Sequence, residues 1–228
     1  MSFTQCDIID SISEVELVDH MGNDTTVVNA ARVSFGKRIS EVQDSDKSLL
    51  CYLAKHKHMS PFRHVQFQFR VKAPEFVARQ WYKHIVGAEY SFKDTAWNEI
   101  SGRYTKVKEE FYVPRELRRQ DPSNKQGSVA APELNEHKQT FDEINRMLYS
   151  TYYNLLDSGV AKELARNVLP LSLYTEFYWT ASLEAVYHFY KLRDHVGAQL
   201  EIRQYAKVLK KLAQVACPFT WDALESFV

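Results

Sequence analysis

At 228 residues the chain is long enough for one sizeable hydrophobic core, or for two small lobes sharing one. Its 29 Lys+Arg balance its 29 Asp+Glu, so no global cationic surplus exists to hold a nucleic-acid duplex, and any anion site has to be local. No cationic segment followed by an apolar one opens the chain, and no run of about 18 apolar residues occurs, so the expectation is a soluble, cytoplasmic protein without a membrane partner.

Taken in chain order, "SEVELVDH" alternates at Val15 and Leu17 up to the turn-like "GND", and a short helix is expected through "TTVVNAARVSF". Ser45 or Asp46 is placed to cap a helix carrying Leu49, Leu50 and Leu53, with Pro61 as its limit. "HVQFQFRV" is the clearest strand: Val65, Phe67, Phe69 and Val71 face one way, Gln66, Gln68 and Arg70 the other. Pro74 suits the first turn of a helix through "APEFVARQWYKHIVG", with Gly87 at its end. "RRQDPSNKQGSVAA" reads as a mobile surface loop.

A long helix is expected from Pro132 to Asp157, with Leu134, Phe141, Ile144, Leu148 and Leu155 on one stripe and Gly159 closing it. "AKELARNVLP" is a short helix stopped by Pro170, and "LSLYTEFYWT" a buried strand. Ser182 suits the cap of a helix carrying Glu184, His188 and Arg193, and a final amphipathic helix uses Leu200, Ile202, Ala206, Leu209 and Ala213. The whole is expected to be one α+β domain over 1–228, a sheet flanked by long helices. Cys6, Cys51 and Cys217 are odd in number and widely spaced, so reduced thiols are expected rather than a disulfide framework or a zinc site. His56, His58 and His64 lack an HExxH or paired-cysteine context, and no metal is expected there.

The stretch "KHIVGAEYSFKDTAWNEISGRY" concentrates charge. Gln80, Lys83 and His84 share a helix face, and Glu99, Ser101 and Arg103 alternate in what reads as an extended segment beside Gly102. Arg103 can fork onto phosphate oxygens, Ser101 can add a neutral donor, Glu99 can accept from a sugar or ring donor, and Gly102 allows close approach. The set fits a sugar phosphate. A solvated helix face and helix-end arginines at Arg166 and Arg193 are the plain alternatives.

The blocks "VELVDHMGND", "AARVSF", "KHKHMSPFRH", "VKAPEFVARQW", "NEISGRY", "ELARNVLPLSLYTEFYWT", "FYKLRDHVGAQLEIRQYA" and "CPFTWDAL" occur in the order of the flavin-dependent thymidylate synthases, and the chain resembles that family from about residue 15 to 225. The resemblance implies a homotetramer with active sites built from several subunits. It implies methylation of dUMP at C5, with methylenetetrahydrofolate as carbon donor and NADPH-reduced FAD as hydride source. It assigns Arg193 to activating the uracil, and Gln80, Trp81, Tyr82, Lys83, Glu99, Ile100, Ser101, Gly102, Arg103, Arg166 and Arg193 to the dUMP pocket. Ser60, Lys83, His84, Ile85, Glu99, Ser182, Glu184 and His188 resemble FAD contacts.

The sequence departs from that family at several points. The usual Arg-His-Arg triplet reads Lys83, His84, Ile85 here, and the spacer "VGAEYSFKDTAW" before Ser101 is longer, which reads as surface decoration. Arg63 stands where many relatives carry a carboxylate and Glu184 where many carry an arginine. If the two charges have exchanged places, their side chains should lie within about 8 Å, a screening length at physiological salt. Two other readings stay open: a related flavin enzyme with a different one-carbon unit or product, and a nucleotide- or RNA-binding module without flavin.

Overall fold

The computed structural model describes residues 3–86 and 95–228. Five antiparallel strands form the main sheet in the order β1-β2-β3-β7-β4: β1 (Phe3–Cys6), β2 (Glu14–Met21), β3 (Gln66–Pro74), β4 (Ala96–Glu99) and β7 (Tyr174–Ser182). The spine is the β3–β7 pair, in continuous register from Gln66↔Ser182 to Pro74↔Tyr174. Period-2 alternation explains its two faces. Phe67, Phe69 and Val71 on β3 and Phe177, Trp179 and Ala181 on β7 are buried on the inner face. Arg70, Lys72 and Glu176 occupy the opposite face, where Arg70 pairs with Glu176 at 2.7 Å and Lys72 with Glu110 at 2.8 Å.

Helices α1 (Asp24–Arg32), α2 (Asp44–Lys55), α3 (Glu75–Val86), α6 (Leu183–Arg193), α7 (Leu200–Ala216) and α8 (Pro218–Phe227) supply the rest of that core. Trp81 from α3, Phe189 from α6, Tyr205 from α7 and Trp221 from α8 are all fully buried. The Trp81 ring stands edge-on to Phe177 and Trp179, with centroids 5.3 Å away, and Tyr82 stands edge-on to Trp97 of β4 at 5.6 Å, so aromatic side chains help fix α3 to the sheet. α4 (Lys138–Asp157) and the single turn α5 (Lys162–Ala165) pack against each other.

Several local expectations change. Pro74 ends β3 rather than opening α3. Gln43, not Ser45 or Asp46, is the N-cap of α2: Asp46 accepts from the Gln43 backbone N–H at 2.9 Å and so closes the box from the third helical position. That helix stops at Lys55, before Pro61 can act, because Lys57 adopts φ 55. The polar stretch read as a loop is a hairpin of β5 (Arg118–Gln120) and β6 (Ser128–Ala130). Its turn is built from side chains: Asp121 accepts from Ser123 and Asn124 backbone N–H groups at 2.8 and 3.0 Å, and Gln120 donates to the Asn124 and Gly127 carbonyls. On α4, Phe141 and Ile144 are exposed, while Asn145 and Tyr152 are the buried positions, so the apolar stripe does not face this chain's core. α7 is not the last helix. Pro218 at the first position of α8 starts another, which Trp221 and Leu224 anchor in the core.

Candidate active site

Two separate groups of side chains draw on α3. The first lines a cleft of about 580 Å³ bounded by Glu75, Arg79, Glu99, Ile100, Ser101, Gly102, Arg166 and Asn167. β4 delivers Glu99 to the cleft, and the Ile100 N–H still pairs with the Glu176 carbonyl at 2.9 Å. The extended segment then ends. Tyr104 N–H and Thr105 N–H both return to the Ser101 carbonyl, which makes Ser101–Thr105 a turn, so Arg103 does not continue an alternation with Glu99 and Ser101. Arg103 is exposed, with its Nε 3.8 Å from the Glu163 carboxylate and its guanidinium over the Tyr104 ring. Gly102 fits the cleft wall closely: a Cβ there would lie 3.3 Å from Arg166 Cδ and 3.2 Å from a Val107 methyl.

The cleft holds opposed charges. Glu99 accepts from the Thr175 hydroxyl at 2.6 Å and from the Trp97 indole at 3.1 Å. Burial and the neighbouring Glu99 carboxylate push the Glu75 carboxyl up, while Arg79 and Arg166 pull it back. Arg79 and Glu75 escaped the sequence reading. Their signal was there, since residues 75, 79 and 83 lie one helical turn apart. The arrangement can hold an anion between Arg79 and Arg166 and a polar ring or sugar against Glu99.

The second group joins α3 to α6. Ser182 caps α6, its hydroxyl accepting from Ala185 N–H at 3.2 Å, and the helix carries Arg193 in its last turn, where carbonyl ends favour a cation. Arg193 Nε donates to His84 Nε2 at 2.8 Å, and its Nη2 lies 3.5 Å from the Gln80 carbonyl. Gln80 in turn donates to Gln199 at 2.7 Å. The His188 ring stands 6.1 Å from that of His84, and Phe189 packs at 4.8 Å. Burial, then the Arg193 charge, then His188, hold the His84 pKa down to about 3. His84 is therefore neutral near pH 7. Burial alone lowers the Arg193 pKa.

Other residues singled out in the sequence lie elsewhere. The Trp81 side chain is in the core and is closed to a ligand, and the Ser182 hydroxyl is fully buried in its capping bond. Tyr82 and Lys83 are exposed on α3, as is Ser60 on the 3-10 turn before β3. Ile85 lies in the last turn of α3, its side chain outside the described residues, as is most of the "VGAEYSFKDTAW" spacer. Arg63 and Glu184 are joined by a hydrogen-bonded ion pair through Nε and Oε2, with a second approach of 3.5 Å from Nη2 to Oε1, as an exchange of charges requires. Glu184 is thus turned onto a guanidinium. The donor set Ser60, Lys83, His84 and His188 suits a phosphate-bearing dinucleotide in kind, since it offers a cation, a hydroxyl and imidazoles without a carboxylate left uncompensated. Among the described residues no helix is long and apolar enough to cross a membrane.

The sequence profile described as "Thymidylate synthase complementing protein" matches residues 16–219. A flavin-dependent thymidylate synthase of Thermus thermophilus is 46% identical over 211 residues, covering 92% of this chain and 75% of that protein. One from Thermosipho melanesiensis is 43% identical over 216 residues, covering 93% and 90%. Among solved structures, the UMP/dUMP methylase PolB from Streptomyces cacaoi bound with 5-Br dUMP superposes with a TM-score of 0.81 at 33% identity, covering 93% of this chain and 94% of that one. A profile that spans most of the chain, relatives at this identity and a matching fold agree: the chain belongs to the thymidylate synthase complementing protein family.

Proposed function

We propose that the protein is a flavin-dependent thymidylate synthase that methylates dUMP at C5 to give dTMP. The observation that carries this reading is the 46% identity to an enzyme of that name over nearly the whole chain. FAD, reduced by NADPH, supplies the hydride when bound, and 5,10-methylenetetrahydrofolate supplies the carbon. The chain's own task is to bind, orient and polarise.

In this reading the phosphate of dUMP lies between Arg79 and Arg166, with Ser101 as a neutral donor and Glu99 accepting from the sugar or base. Arg193 places its guanidinium against the uracil imide, which favours the electron-rich, N3-deprotonated ring and raises reactivity at C5. Ser60, Lys83 and His188 are the candidate flavin contacts, while His84, expected among them, has its Nε2 engaged by Arg193, and Trp81 and Tyr82 contribute through backbone and position on α3. The protein works as a cytoplasmic homotetramer. The cleft residues and the Arg193 group of one chain form two separate constellations, which favours a site completed by a second subunit.

The test is direct. Purified protein should be yellow, with absorbance near about 450 nm, and should form dTMP from dUMP, methylenetetrahydrofolate and NADPH. Colourless protein, or no dTMP with flavin present, would refute the reading. UMP belongs in the same assay, because the solved relatives are named UMP/dUMP methylases.

A further inference from the structure

We infer that His84 is a positioning residue for Arg193: its unprotonated Nε2 accepts from the guanidinium and fixes the plane that Arg193 presents to the pyrimidine, rather than serving chiefly as a cofactor contact. This rests on the function proposed above for the role of Arg193, but the hydrogen bond itself does not.

The geometry is specific. A donor at Nε of Arg193 meets Nε2 of His84 at 2.8 Å, so the imidazole proton has to reside on Nδ1. A second hold comes from the same helix one turn earlier, where the Gln80 carbonyl receives Nη2. Two acceptors on α3, four residues apart, thus clamp two edges of one planar cation that arrives from the end of α6. Without the imidazole, among the described residues the long Arg193 side chain keeps only its 3.5 Å approach to a carbonyl of α3. It would then sample several rotamers.

The environment keeps His84 an acceptor. Among the described residues the groups facing it are the Arg193 cation, His188 and the Phe189 ring, and a proton on His84 would set a second positive charge against Arg193 in a buried place. A protonated His84 would set an N–H against an N–H and break the clamp. Lys83 on the same helix turn is exposed and can meet a ligand directly, which leaves His84 free for this inner task.

The experiment compares His84→Leu with His84→Gln, whose Oε1 restores an acceptor near the Nε2 position. The Arg193 Nε–H resonance, assigned by its loss in Arg193→Lys, is followed by nitrogen-15 NMR alongside flavin content, kcat and KM for dUMP. His84→Leu should lose the shifted, slowly exchanging Nε–H signal and lower kcat roughly 10- to 100-fold with flavin content unchanged. His84→Gln should recover both. An Nε–H signal unaffected by His84→Leu would overturn the inference whatever the activity shows. So would loss of flavin in both variants, which assigns His84 to the cofactor, or wild-type kcat in His84→Leu. Wild-type protein that makes no dTMP while the NMR pattern holds would instead refute the proposed function and leave the clamp in place.

Discussion

Residue 193 is where charge and geometry meet most sharply. It is half-buried, held on two sides, and close enough to a neutral histidine that its guanidinium has a defined plane. Arg193→Ala should lower kcat on the order of 10²- to 10³-fold with the flavin still bound, a loss read by steady-state kinetics and the visible spectrum. His84 gives a pH signature. Its folded pKa of about 3 lies below the ordinary 6.5, so between those values the unfolded chain holds more protons than the folded one. Stability is therefore complete above pH 6.5 and falls as pH drops through that window, by at most about 1.4 kcal/mol per pH unit. Urea midpoints for wild type and His84→Gln should converge on acidification from pH 7 to 4.5, and a constant gap would contradict the buried neutral imidazole. The sequence placed Arg193 and His84 on their helices from local start and stop residues, Ser182 for one and Pro74 and Gly87 for the other, but their contact joins positions 109 residues apart, which no local pattern encodes.

At the scale of elements, legibility followed how strongly a segment's own residues determine its shape. β3 was readable because Phe67, Phe69 and Val71 alternate with Gln66, Gln68 and Arg70, and that alternation is the burial pattern. The β5–β6 hairpin was not, because each strand has only three residues and the turn depends on Asp121 and Gln120 side chains. Ser101–Arg103 misled in the same way: three residues of apparent alternation were outweighed by a backbone turn. α8 had a signal, Pro218 followed by Phe219, Trp221 and Leu224, that the reading passed over. It also borrows its cap. The Asp24 carboxylate accepts from Thr220 N–H and hydroxyl at 2.8 and 2.5 Å and from Phe219 N–H at 3.3 Å, because Cys217 at the cap position offers no side-chain acceptor to the helix. Asp24→Ala should cost about 2 kcal/mol in urea unfolding, with Asp24→Asn recovering part of it; an effect below about 0.5 kcal/mol would show that water replaces the cap.

For the molecule as a whole, the Arg63–Glu184 pair ties the turn before β3 to the start of α6 across 121 residues. Glu184 is 6% exposed and Arg63 36%, so removing the arginine takes a cation away from a buried carboxylate. Arg63→Leu should destabilise by about 3 kcal/mol, and the double exchange Arg63→Glu with Glu184→Arg should regain most of that, as a double-mutant cycle in urea would measure. Independent, additive losses would mean that the two sites do not interact. Assembly leads to a second whole-molecule expectation: light scattering should give four times the 26.6 kDa chain mass, and dilution that dissociates subunits should abolish turnover before it unfolds the chain. The Asp24 cap also bears on biogenesis. Residues 217–227 leave the ribosome after every core partner they touch, so the emerging polypeptide must wait with α1 and α2 unsealed until Trp221 arrives, and during that wait a chaperone or a protease has its best access.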